Sequence, residues 1–134
     1  MTTVPSEALR GLASECVTVV AQQHNRELDW TVRSLAELDA VCAELLADGP
    51  LAGERLELWW KLVGAYTGEV LVRVYSGQWI EYENTSGAYV VSIDGMTAMP
   101  FSVAWRVLNG EEFKSLASFA RVFPTLAAQQ KENG

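Results

Sequence analysis

The fold of this chain is decided by residues 51–72, which read LAGERLELWWKLVGAYTGEVLV. When the residues are placed at 100° steps, the large apolar side chains of this region fall on one broad side of a helix. Glu57 and Lys61 lie on the side that is predicted to face solvent. The apolar side consists of Leu56, Trp59, Trp60, Val63, Tyr66, Val70 and Val74. We therefore predict a central helix that other elements cover on more than one side.

The end of this helix has two readings. Residues Val70–Tyr75 are rich in β-branched side chains, which are typical of a strand. Gly77, however, is the residue type that most often terminates a helix. The pattern leaves helix and strand open for this segment.

Two amphipathic helices are predicted before the central one. The first spans about Ser6 to Gln23, where apolar residues recur at steps of three and four. The second begins at Ser34, which forms with Glu37 the Ser-x-x-Glu pattern of a capping box. Gly49-Pro50 ends it.

After Gly77 the apolar period changes from 3.6 to 2, which predicts strands. Asn84–Gly87 and Asp94-Gly95 supply the turns. The predicted strands are Trp79–Glu83, Tyr89–Ile93 and Met96–Met99.

Two short helices are predicted to complete the chain. One runs from Pro100 to Leu108 and is closed by Asn109-Gly110; the other carries an inner stripe from Leu116 to Phe123. The fold class is thus α+β, with three N-terminal helices, a small antiparallel three-stranded sheet and two C-terminal helices. At 134 residues we expect one domain over 1–134, packed over about 6–128.

Composition narrows the function classes. A formal net charge of −7 with scattered basic residues disfavours a nucleic-acid partner. No apolar run reaches the length of a membrane span, and the N-terminal residues lack the pattern of a secretory leader. We expect a cytoplasmic protein without a nucleic-acid or membrane partner.

The sequence contains no motif that identifies a catalytic centre, a metal site or a cofactor site. His24, the one histidine, lies in a polar segment after the first helix, which favours a helix-end role. Cys16 and Cys42 lie on apolar helix faces and are interpreted as buried hydrophobic residues, with a disulfide or redox pair as the alternative. We predict no catalytic residues and no cofactor.

The tract around Gly64 and Gly68 is the most suggestive local pattern. Two glycines on one side of a helix cost about 1 kcal/mol each relative to alanine, so a compensating feature is expected. Another element could approach the backbone closely there, or a small molecule could bind in a groove beside Tyr66 and Glu69. Glu69 has Arg73 one turn later, so it is either a structural ion-pair member or an acid–base candidate.

A second candidate site lies on the first strand. Alternation places Trp79, Glu81 and Glu83 on one face, which could form an acidic patch around an aromatic anchor for a basic partner. The alternative is a solvated outer face of the sheet.

Several short motifs together resemble a family of small bacterial domains of uncharacterised function, in which a GxYxGE helix precedes a GxW strand. The resemblance covers roughly Asp29 to Phe123 and marks Gly64, Tyr66, Gly68, Glu69 and Trp79. It implies an α/β domain and no established activity. This chain departs from the pattern after Glu69, where the family has a more basic helix end. The motifs are Ser34-x3-Leu38-Asp39, Gly64-x-Tyr66-x-Gly68-Glu69, Gly77-x-Trp79, Pro100-Phe101 and Asn109-Gly110-Glu111.

Three functions are compatible with these observations. The leading one is a non-enzymatic interaction domain with an acidic surface for a basic protein partner, of which an immunity or antidote protein is one concrete form. The second is a small-molecule binder or weak enzyme with a cleft lined by Tyr66, Glu69, Arg73 and Trp79. The third is a structural homodimer that buries tryptophans such as Trp59, Trp60 or Trp105.

Overall fold

The computed structural model describes residues 6–82 and 88–123, and within them it confirms the predicted α+β architecture. Along the chain, three helices are followed by a three-stranded antiparallel sheet and then by two further helices. The elements are α1 (Ser6–His24), α2 (Ser34–Leu46), α3 (Gly53–Tyr75), β1 (Gln78–Glu81), β2 (Tyr89–Ile93), β3 (Met96–Ala98), α4 (Pro100–Leu108) and α5 (residues 116–123). No helix in the described ranges is apolar over enough length to cross a bilayer.

Helix α3 is the central element, and every residue from Leu62 to Leu71 is buried. Because α1, α4 and the sheet all pack against it, the helix has no solvent-exposed face in this part. Near the two ends of the helix some apolar side chains are exposed, among them Leu58 and Val74. The prediction that Val74 lies on the buried side is therefore wrong.

The segment Val70–Tyr75 is helical, so burial against the rest of the core prevails over its β-branched composition. The residue with left-handed backbone at the helix end is Ser76, with φ +56°, rather than the predicted Gly77. Gly77 has a different role: a side chain there would come within 2.7 Å of Val91 on β2.

The capping-box prediction for α2 is wrong. Arg33 is the N-cap residue and makes no side-chain cap, while the Ser34 hydroxyl donates to Thr31 O at 2.6 Å. Thr31 Oγ1 instead accepts the Ser34 N–H at 3.2 Å, and Glu37 accepts a hydrogen bond from Arg26 at 2.7 Å. Thr31 thus engages Ser34 and Arg26 engages Glu37, so neither side chain completes the capping box.

The sheet has the order β1-β2-β3, with Trp79 opposite Val91 and Ser92 opposite Thr97. Asp94 and Gly95 both have positive φ, as the two-residue hairpin predicted from this pair requires. The predicted turn Asn84–Gly87 and the strand end at Glu83 lie outside the described residues.

Helix α4 begins at Pro100, whose missing N–H costs nothing in the first turn. Gly110, with φ +73°, follows its end as expected. Helix α5 is capped by a residue distant in the sequence. The Asp39 carboxylate on α2 accepts hydrogen bonds from the backbone N–H groups of Leu116 at 2.8 Å and Ala117 at 3.1 Å. Asp39 thus fixes the position of α5 relative to α2.

Candidate functional site

The predicted residues Tyr66, Glu69, Arg73 and Trp79 do come together, but they form a closed network. The Glu69 side chain is buried, and its two oxygens accept hydrogen bonds from Trp79 Nε1 at 3.1 Å and Arg73 Nε at 3.4 Å. Both oxygens of this carboxylate are therefore engaged within the protein, and the pair with Arg73 is the predicted structural ion pair. The acid–base reading of Glu69 has no support in this geometry.

Arg73 connects this network to two aromatic rings, Trp30 and Tyr66. The Arg73 guanidinium lies 3.8 Å from the centroid of the Trp30 ring, and Trp30 in turn packs on Tyr66 at 5.0 Å. The Tyr66 hydroxyl accepts the Trp30 N–H at 2.9 Å and shares a 2.5 Å hydrogen bond with Ser34. Burial raises the pKa of Tyr66. These contacts hold Trp30 at φ +69°, a conformation that bulky residues seldom adopt.

The glycine face of α3 is filled by aromatic rings. A methyl group on Gly64 would lie 2.6 Å from Phe101 Cε1, and one on Gly68 would overlap the Trp79 ring and lie 3.0 Å from Pro100 Cγ. The close-approach interpretation is therefore confirmed. The predicted small-molecule cleft on this face is wrong, because the rings of Phe101 and Trp79 occupy its space.

The predicted patch on β1 does not expose an aromatic anchor. Trp79 is 8% exposed because its ring lies in the notch above Gly68, so it is unavailable to a partner. Glu81 is half-buried, and Glu83 lies outside the described residues. The alternating pattern of the strand placed Trp79 and Glu81 on the same face. It did not predict that Trp79 on this face is buried against α3.

His24 and the two cysteines have structural positions. His24 ends α1, packs edge-on against Trp59 and contacts the Glu44 carboxylate at 3.3 Å. Cys16 and Cys42 are free and buried; burial raises the pKa of the Cys16 thiol to about 12 and also raises the pKa of the Cys42 thiol. Among the described residues no group of His, Cys, Asp and Glu side chains is placed to hold a metal ion.

Of the tryptophans proposed for a dimer contact, only Trp105 is exposed. Trp59 belongs to the core, and Trp60 is half-buried with its Nε1 donating to Phe101 O at 2.8 Å. Two of the three rings are thus used within one copy of the chain.

Several exposed apolar side chains meet in a groove of about 460 Å³ between α4 and α5, here called the α4–α5 groove. Three large apolar side chains that line it are exposed: Met99 by 37%, Val122 by 43% and Phe113 completely. The full lining in the described ranges is Met99, Ser102, Val103, Arg106, Phe113, Lys114, Ser115, Ser118, Phe119 and Val122.

Phe113 is the most unusual residue of this groove. It is fully exposed and has φ +64°, although a phenylalanine gains from burial and avoids this backbone region. Strained positions of this kind cluster at binding sites, where a function compensates for their cost. The sequence signal was a single aromatic residue between Glu112 and Lys114 in an otherwise polar connection, and our sequence reading passed over it.

The groove has a basic rim in an acidic protein. Arg106 and Lys114 both line it, and each has its cation 4.0 Å from the Glu111 carboxylate. Contacts of this length between exposed side chains contribute little, so both cations remain available to another carboxylate.

Comparison with known proteins supports the fold and no more. No protein-family model and no curated protein matches this chain. Among solved structures it is similar to a crystal structure from Bacteroides thetaiotaomicron VPI-5482, with a TM-score of 0.63 at 15% identity. The similarity covers 91% of this chain and 45% of that one, so this chain spans less than half the length of its structural neighbour. The resemblance to domains with a GxYxGE helix stays a prediction.

Proposed function

We propose that this protein is a non-enzymatic interaction domain that binds a segment of another protein in the α4–α5 groove. The observation that carries the proposal is the convergence of Met99, Phe113 and Val122, all exposed, on one groove. Aromatic and methionine side chains are enriched in protein interfaces, and a contiguous exposed apolar surface marks a contact site.

The rim defines the chemistry of the partner. Because Arg106 and Lys114 flank an apolar interior, the bound segment is expected to combine apolar side chains with Asp or Glu. A basic partner, expected from the net charge of −7, remains a prediction for the rest of the surface. An antidote role in the cytoplasm is a finer form of the same proposal, and a toxin gene beside this one would favour it.

The network around Glu69 supports the non-enzymatic part of the proposal. The groups that sequence reasoning selected for chemistry are engaged in the interior: Glu69 with Trp79 and Arg73, and the Tyr66 hydroxyl with Ser34. None of them lines the α4–α5 groove.

A site-specific photocrosslinker tests the groove directly. A benzophenone amino acid is placed at Phe113 in the full chain, with the same substitution at Leu58 as control, since Leu58 is exposed but lies on α3 away from the groove. We expect crosslinks at position 113 to one protein through a segment with acidic and apolar residues, lost when Arg106 and Lys114 are both changed to Glu.

Three results would contradict the proposal. Equal capture at positions 113 and 58 would show non-specific contact. A crosslink between two copies of this chain would favour the homodimer instead. A crosslink within one chain, to residues 124–134, would show that the groove belongs to the protein's own fold.

A further inference from the structure

A second concavity lies between α1, α3, the β1–β2 hairpin and α4. This chamber has a volume of about 470 Å³, within the usual range for small-molecule sites. It adjoins the filled glycine face, because Phe101, which lies over Gly64, also lines it, and Met99 and Ser102 line both the chamber and the α4–α5 groove. Its lining in the described residues is Leu9, Leu12, Trp60, Lys61, Tyr82, Ala88, Tyr89, Val90, Met99, Phe101 and Ser102.

The walls of the chamber are apolar and held in place. The Trp60 indole donates to Phe101 O at 2.8 Å and packs edge-on against the rings of Phe101 and Trp105, each at 5.7 Å. Leu9 and Val90 belong to the buried part of the structure. A fixed apolar wall favours binding, because little side-chain freedom is lost when a ligand enters.

Four side chains bring ammonium or hydroxyl groups to the described lining of the chamber. Lys61 is the only charged residue in the described part of its lining, and Tyr82, Tyr89 and Ser102 add hydroxyl groups that can donate hydrogen bonds. The Lys61 ammonium lies 3.3 Å from Glu57 in a pair that is half exposed on both sides. Such a pair is weak, so a ligand carboxylate can compete for the ammonium.

We propose that this chamber binds a small amphipathic carboxylate, with its apolar body against Trp60 and Phe101 and its anionic end at Lys61. The volume suits a single-chain or compact ring acid rather than a two-chain lipid. The two residues that define this site, Lys61 and Trp60, do not line the α4–α5 groove, although the two cavities share Met99 and Ser102.

Calorimetric titration with decanoate, below its micelle concentration, tests the proposal, with decanol as the uncharged probe of equal chain length. We expect saturable binding of both. Lys61→Met should weaken decanoate about fivefold, the effect of one exposed ion pair, and leave decanol within about twofold. The matched control is Arg55→Met, an exposed cation on the same helix that does not line the chamber.

Filling the chamber provides the second arm. Leu12→Trp, verified as folded by circular dichroism, should abolish binding of both probes; if it fails to fold, Lys61→Met on the surface still decides the question. The proposal is overturned if neither probe saturates, if Lys61→Met leaves decanoate unchanged, or if Arg55→Met weakens it equally. Loss of decanoate binding without any change in crosslinking at Phe113 would separate this site from the groove.

Discussion

Replacing Gly68 by alanine should destabilise the protein, although alanine is the better helix former. The helix preference of alanine over glycine contributes about 1 kcal/mol in favour of the variant. The new methyl group would overlap the Trp79 ring, and overpacking of this kind costs about 1–3 kcal/mol. Displacing the indole also weakens its 3.1 Å hydrogen bond to Glu69, for about 1 kcal/mol more. The net loss is about 1–3 kcal/mol.

Gly11→Ala is the matched control, because Gly11 is an exposed helical glycine with nothing within 4 Å of an added methyl group. This variant should gain about 1 kcal/mol, which leaves a gap of about 2–4 kcal/mol between the two. Equilibrium urea denaturation followed by circular dichroism gives both free energies of unfolding. If the two variants agree to within about 0.5 kcal/mol, the ring of Trp79 does not occupy the notch and the description of the glycine face is wrong.

Three further changes probe the interior. The Thr67 hydroxyl is buried with no hydrogen-bond partner in the described residues, so Thr67→Val should raise the free energy of unfolding by about 1 kcal/mol; a loss in thermal denaturation would reveal a partner. Glu69→Leu should lower the free energy of unfolding by about 2–4 kcal/mol, because it leaves the buried Trp79 N–H without an acceptor. Glu69→Gln keeps an acceptor, so it should lower this free energy by less, as measured by urea titration. Equal losses would mean that the hydrogen bond is unimportant. Finally, the raised pKa of Cys16, from 9.0 to about 12, means that only the unfolded chain releases this proton near pH 9. The contribution of Cys16 to stability should be constant below pH 9 and fall as the pH rises toward 12, so the loss of stability over this range should be shallower in Cys16→Ala; equal slopes would refute the assignment.

The elements that the sequence predicted well are those whose signal is local and repeated. The apolar period of α3 and the Asp94-Gly95 turn depend on neighbours in the chain, and both appear as expected. For Val70–Tyr75, at the end of α3, the sequence left helix and strand open, and the segment is helical. The close approach at Gly64 and Gly68 was also foreseeable, because two helical glycines need a compensating contact.

What the sequence could not predict depends on partners distant in the chain. Ser34 and Glu37 match a capping box, yet Tyr66 and Arg26 engage their side chains instead. Trp79 shares a strand face with Glu81, but only the packing on Gly68 shows that this face is inside.

The candidate site was missed for the same reason. A single exposed phenylalanine acquires meaning only when folding brings it beside Met99 and Val122. The chamber under the β1–β2 hairpin likewise draws its walls from four separate parts of the chain.

The link from Asp39 to α5 has a consequence for the order in which the molecule assembles. Helix α5 begins at Leu116, and the backbone N–H groups of its first turn need acceptors from outside the helix. The carboxylate that caps its first amides lies 77 positions earlier than Leu116, so the cap exists only after α2 has docked. We expect α5 to be the last helix to form and the first to detach, with the Leu116 amide exchanging its hydrogen faster than those within α3. The α4–α5 groove would then open by local unfolding while the rest of the core stays intact.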